Sequence, residues 1–353
     1  MKQKKNLILF ITISLLISCS EKKPFSLDSF TYIKNIKHEK VILKQGSYFS
    51  KVIDLFLINN KMLVYDVDEN YYFSLLDLKE KCIVQKAGKK GQGPDEIISY
   101  PHSITKTNDR IWQFYDINKK RIFNINFSKS DSISINENKI FKTKESIFNI
   151  LPTINKNFVS IGGYEKGRYL LLNSTGKEIS YFYNYPKLKN ETMFSNRHKA
   201  MAFQGSFVKR PDGKRFIFAA RSSEVIEIIE ITKENQLMKI FEWHGNMGTY
   251  TPDGDGKKSV SAGVSQNSKS IFRNVCSTQN YIYLLYSGHF YYESYAKVET
   301  GNTIYVMNWE GKPVARYNLD IDVKCIAVSD DDKTLYAIAE QDDTNLVKFK
   351  LDH

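Results

Sequence analysis

Six polar residues, Asp54, His102, Asn149, Gln204, Asn274 and Lys324, share one relation to their surroundings. Each lies seven to eleven residues ahead of a short aromatic and aliphatic run. Asp54, Asn149 and Asn274 carry the oxygen donors that a calcium ion takes. Asp54 would supply the only full negative charge. Lys324 opposes a cation and, with His102, suits an anionic small molecule instead. A hydrolytic site needs a second acid as general base, and the six hold one carboxylate. The array therefore reads first as a binding site, and second as a metal-assisted hydrolytic centre on Asp54, Asn149 and Asn274.

The stretch AGKKGQGPDEI, residues 87–97, is the other candidate. A phosphate-binding loop needs Gly-x-x-x-x-Gly-Lys-Ser/Thr, and here Pro94 follows Gly93. A dinucleotide loop needs Gly-x-Gly-x-x-Gly between a strand and a helix; Gly88, Gly91 and Gly93 give the reverse order between two strand-like runs. Glycines permit the positive-φ turns of a tight crossing, and Pro94 stiffens its end. The loop reads as a structural crossover. As a ligand contact it would offer Lys89 and Lys90, with Glu96 beside them.

Asp66 to Asn70 mimics the start of a calcium loop but lacks the glycine at the sixth position and the glutamate at the twelfth. It reads as a hairpin turn. Asp253-Gly254-Asp255-Gly256 reads as the cap of a mobile loop. There is no Gly-x-Ser-x-Gly elbow for an esterase nucleophile. No Cys-x-x-Cys or Cys/His spacing supports zinc. Cys276 and Cys325 fall at unequal offsets in neighbouring inner strands, ~13 Å apart at about 3.3 Å per residue. That is too far to bridge, so no disulfide is expected.

The N-terminus sets the compartment. Lys2, Lys4 and Lys5 precede the apolar run Leu7 to Ile17, which is of signal-sequence length and too short to span a bilayer. Leu16-Ile17-Ser18-Cys19 resembles a bacterial lipobox, which implies that Cys19 becomes the acylated first residue. The expected layout is a signal peptide over 1–18, a lipidated tether over 19–27 and a folded domain over 28–353. The formal charge is +12, or +9 without the three signal lysines. Those charges are interspersed with acids, and an exported protein seldom meets nucleic acid, so none is expected as a partner.

The elements that must position these residues repeat. MLVYD from Met62, IWQFYD from Ile111, FVSIGG from Phe158, RFIFAA from Arg215, YIYLLY from Tyr281 and TLYAIA from Thr334 each follow a polar turn. They recur at intervals of 47 to 66 residues, and each is followed by a second apolar run. A unit of about fifty residues with four short strands is a propeller blade. Six anchors predict an all-β, six-bladed β-propeller of four-stranded antiparallel blades around a central channel. The stretch TYIKNIKHEKVILK near the N-terminus is expected to supply the missing outer strand.

The chain resembles the TolB-like six-bladed propeller lipoproteins of the Bacteroidetes. The resemblance rests on residues 203–231, 281–289, 303–320 and 331–339 and on GQGPDEI. That family's loop usually reads Gly-x-Gly-Pro-Gly-Glu-Phe; here Asp95 replaces the third glycine and Ile97 the aromatic residue. The resemblance implies a fold and a location but no reaction. Together these readings expect a monomeric cell-envelope lipoprotein held by its acyl chains on the outer membrane, at the periplasmic face or the cell surface. It would act as a non-catalytic binding propeller for a protein or glycan partner. The alternative resembles the six-bladed lactonases, with calcium in the channel.

Overall fold

The computed structural model describes residues 25–353 apart from 129–131, 142, 190, 258 and 341–343. Two short strands come first, β1 (Ile33–Ile36) and β2 (Glu39–Lys40). Blade one holds β3 (Val52–Ile58), β4 (Lys61–Asp66), β5 (Tyr71–Asp77) and β6 (Cys82–Lys89). Blade two holds β7 (His102–Asn108), β8 (Ile111–Asp116), β9 (Arg121–Phe127) and β10 (Ile133–Ile140). Blade three holds β11 (Ile147–Pro152), β12 (Phe158–Gly162), β13 (Tyr169–Leu172) and β14 (Glu178–Phe182). Helix α1 (Asn196–Ala202) leads into blade four: β15 (Gly205–Lys209), β16 (Arg215–Ala220), β17 (Val225–Ile231) and β18 (Leu237–His244).

A hairpin, β19 (Tyr250–Asp253) and β20 (Ser261–Val264), precedes blade five. That blade holds β21 (Phe272–Ser277), β22 (Tyr281–Tyr286), β23 (Gly301–Asn308) and β24 (Pro313–Val323), with α2 (Tyr295–Glu299) between β22 and β23. Blade six takes β25 (Cys325–Val328), β26 (Thr334–Glu340) and β27 (Thr344–Lys350) from the C-terminal end. Its outer strand is β2, paired antiparallel to β27 through Glu39 with Lys348 and Lys40 with Val347. The expected closing stretch is thus divided. β2 completes blade six, while β1 runs parallel to β24 and gives blade five a fifth strand.

All six sequence anchors fall on the second strand of a blade. These strands are apolar on both faces, as β4 shows by being buried along its whole length. One sheet cannot cover both of its faces, so each blade packs between two others. The core accordingly divides into six apolar clusters, one per blade interface. Phe73 meets Phe114 between blades one and two, with ring centroids 5.7 Å apart. Phe207 and Phe216 pack with Tyr169 between blades three and four. The inner strands β3, β7, β11, β15, β21 and β25 lie side by side around the axis.

A buried aspartate ends the second strand of the first two blades. Asp66 accepts from the backbone of Ser50 and Lys51, at 2.8 and 3.0 Å, and from Ser74 Oγ at 2.9 Å. Asp116 accepts from Ile98 N at 3.1 Å and Ser99 Oγ at 2.8 Å. Each carboxylate ties the chain ahead of the inner strand to the strand beside it. The Asp66 and Asp68 carboxylates of the calcium-like run are thus engaged by backbone and side-chain donors, Asp68 accepting from Asn70 N, Tyr71 N and Lys86 Nζ. Removing such an acceptor strands several buried donors. Asp66→Ala and Asp116→Ala should each lower unfolding stability by about 2–3 kcal/mol in urea titrations.

Candidate functional site

The inner strands do more than pack. β3, β11 and β21 each carry a β-bulge immediately before a polar residue, with register shifts between Val52 and Asp54, Ile147 and Asn149, and Phe272 and Asn274. In β7 the irregularity starts at His102, and Ser103 adopts a φ of 56°. A bulge bends its strand and re-aims a side chain. Asp54, His102, Asn149 and Asn274 line an axial cavity. Gln204, just ahead of β15, lines it too. The cavity has two lobes, of about 360 and 260 Å³, which share His102, Asn149, Gly205 and Arg221.

Lys324 stands apart. It is not among the residues that line either lobe, and its Nζ pairs with Glu340 at 2.7 Å. The register explains why. Cys325 pairs with Ile338, just as Asn274 pairs with Leu285 and Asp54 with Tyr65. The register position of blade six that matches Asp54 and Asn274 is therefore Cys325, whose side chain packs into the core between blades six and one, while Ala327, Val328 and Asp330 line the larger lobe from this blade. A one-residue offset sends the Lys324 side chain to the opposite face.

Several of the gathered groups are already engaged. Asn274 Nδ2 donates to Asp54 Oδ1 at 3.1 Å, and Asn274 Oδ1 accepts from Ile326 N at 3.0 Å. One side chain so braces the inner strands of blades one, five and six. Ser103 Oγ donates to Asn149 Oδ1 at 3.2 Å and accepts from Ile150 N at 2.8 Å, which links blades two and three. Both amide oxygens needed for the calcium triad are occupied by protein donors. Burial raises the Asp54 pKa to about 7, against hydrogen bonds from Leu55 and Asn274 that favour the charge. Among the described residues, Glu227, Glu242 and His244 do bring three metal-type ligand atoms together. Arg168 and Lys239 already pair with the two glutamates.

The cavity also holds cations that the spacing argument passed over. Arg221 follows β16 directly and faces both lobes. Lys209 lies at the end of β15, and burial lowers its pKa to about 8. Burial also lowers the pKa of His102, which favours the neutral ring. Arg168 precedes β13 and is 2 % exposed. Its Nε pairs with Glu227 Oε2 at 2.9 Å, and Tyr169 OH donates to the same carboxylate. Burial opposes the Glu227 charge, but the Arg168 guanidinium, hydrogen bonds from His244 and Tyr169 and the Lys239 charge together outweigh it and lower the pKa to about 2. The available signal was a lone arginine opening the apolar run RYLLL, and another closing RFIFAAR. Burial pushes the Cys276 and Cys325 thiols up, so neither is a ready nucleophile.

The glycine loop runs from the outer strand β6 to the inner strand β7. Gly88 has a φ of +72°, and a Cβ there would meet Phe73 Cδ2 at 2.8 Å. Gly91 leaves room for Glu96, whose Oε2 would lie 2.0 Å from an added Cβ. Glu96 accepts from Gly93 N at 2.9 Å and from Lys89 Nζ at 2.8 Å. Lys90 Nζ donates to Asp68 O at 2.5 Å and lies 5.1 Å from the Tyr72 ring centre. Ile97 is fully buried beside the blade-one and blade-two core. Lys89 is thus paired within the crossover, and Lys90 with the β4–β5 hairpin of blade one. The segment holding Asp253 and Asp255 belongs to the β19–β20 hairpin, which docks on α1 through His198 Nε2 and Asp253 O at 3.2 Å.

Six blades of four antiparallel strands, one of them extended by the parallel β1, surround an axial cavity and define a six-bladed β-propeller. The chain belongs to the TolB-like six-bladed propeller family, whose model matches residues 29–331. It is similar in structure to a protein of Bacteroides fragilis described as exported, with 14% identity, TM-score 0.55, and coverage of 90% of this chain and 98% of that one. A member of the DUF4221 family from Bacteroides vulgatus is also similar, with 12% identity, TM-score 0.52 and coverage of 90% and 98%. These likenesses show the fold. No curated protein matches the sequence. Cys19 lies outside the described residues.

Two predictions follow from the geometry. The folded-state pKa of Asp54 is raised from 3.8 to about 7, so the native state holds an extra proton between these values. Stability contributed by that proton is full at low pH and is lost as pH rises through this window. Asp54→Asn should flatten this decline, raising the melting temperature at pH 8 while changing it little at pH 4. Cys82, Cys276 and Cys325 are free. Thiol titration of the denatured domain should therefore find all three reactive, with or without reductant.

Proposed function

We propose that the chain is a lipid-anchored, extracytoplasmic binding propeller that holds a ligand in its axial cavity without transforming it. The axial cavity carries the reading. Polar side chains from blades two, three and four are directed into a space of small-molecule size, bounded by apolar rings. Asp54 is engaged by Leu55 and Asn274, and the amide oxygens of Asn149 and Asn274 accept from the protein. These engagements speak against the calcium-dependent hydrolytic alternative.

The lipobox at Leu16 to Cys19 supports the anchor. A structural relative from Bacteroides fragilis is described as exported, which agrees with a place in the cell envelope. The tether over 19–27 reaches at most ~30 Å when extended, so the propeller would work close to the membrane that holds it. Acyl chains supply the hold. Cys19→Ala should therefore move the protein from the membrane fraction to the soluble extracytoplasmic fraction and abolish incorporation of labelled palmitate. Full retention in the membrane fraction would refute the anchor.

A further inference from the structure

The smaller lobe concentrates polar side chains that the protein leaves unpaired. Arg168 Nη1 and Nη2 are buried and have no hydrogen-bond partner. Among the described residues, its one ion pair runs through Nε to Glu227. The guanidinium is held among aromatic rings, 4.4 Å from the Phe218 ring centre and 5.4 Å from that of Tyr185. Among the described residues, the side chains of Arg221 and His102 have no hydrogen-bond partner, and Gln204 reaches only Met201 Sδ at 3.7 Å. All four residues line the same space.

A buried guanidinium stays charged and presents its donors in a planar fork. Leaving such donors empty costs stability, so their survival in one cavity wall points to a partner from outside. The partner must be an anion, since two arginines face it and His102 tends to neutrality. It should be planar, to match the fork, and its body should be apolar, since Phe148, Ile161, Phe203 and Phe218 complete the wall. We infer that this lobe binds a small organic carboxylate with an apolar body, gripped by Arg168 through its Nη pair and closed over by Arg221. The inference rests on the axial cavity being the ligand site, and it adds the chemistry of the ligand.

The test uses the full chain in detergent and four probes in calorimetry: benzoate, phenylacetate and their neutral amides, benzamide and phenylacetamide. Inorganic phosphate serves as the tetrahedral anion. The acids should bind at least ~10-fold more tightly than the amides, since a charge-assisted bidentate pair is about twice as strong as neutral hydrogen bonds. Arg221 is exposed, so Arg221→Ala should fold normally. It should weaken the acids while leaving the amides unchanged. Arg168→Lys keeps a cation for Glu227 but loses the fork, and should weaken the acids further while the amides, which report an intact cavity, bind as before. Amides binding as well as acids would overturn the carboxylate assignment alone and keep the cavity as a ligand site. Phosphate binding in preference to benzoate would overturn it too. Failure of every probe at millimolar concentration would overturn the assignment together with the axial site.

Discussion

A four-stranded sheet that is apolar on both faces has nowhere to hide them alone. Nearly everything in this molecule follows from that constraint. Strands such as β4 and β16 are buried on both sides, so each blade needs two neighbours and the series must close. Closure depends on a small element. β2 contributes two residues to the edge of blade six, and Val41 N extends the pairing by donating to Leu346 O at 2.9 Å. The six interface clusters then carry the hydrophobic stabilisation, while β1 covers part of an edge that would otherwise be open.

The same closure creates the site. Inner strands turned toward an axis lose their neighbours on one side, so polar side chains collect there. They divide into two kinds. Asp54, Asn274, Asn149 and Ser103 bond one blade to another and brace the ring. Among the described residues, Arg221, His102 and Gln204 make no such link, Arg168 makes one through Nε alone, and all four come from blades two to four. Glu227 holds Arg168 in place from blade four through one nitrogen and leaves Nη1 and Nη2 without a hydrogen-bond partner. The pair thus positions a cation that would otherwise be costly to bury.

Much of this was legible in the sequence because propeller strands repeat. The anchors MLVYD, IWQFYD, FVSIGG, RFIFAA, YIYLLY and TLYAIA fixed the second strand of every blade, since an apolar run after a polar turn is a local signal. Counting back from them found four ring residues on inner strands and Gln204 beside a fifth. It failed at Lys324 because the distance from ring position to anchor varies with each hairpin, and a period of two forgives no error. The bulges before Asp54, Asn149 and Asn274 leave no mark in residue type. Arg168 escaped for another reason. Its meaning depends on Glu227 in the next blade, 59 residues later, and on rings from Tyr185, Phe203 and Phe218. No periodicity within one segment encodes a pairing of that kind.

The central claim is that Arg168 keeps an open fork for a ligand. A crystal structure of the protein grown with benzoate tests it most directly. The account predicts planar density in the smaller lobe, with the two carboxylate oxygens at hydrogen-bond distance from Arg168 Nη1 and Nη2. The lobe occupied by water alone, or benzoate bound only elsewhere on the surface, would contradict it.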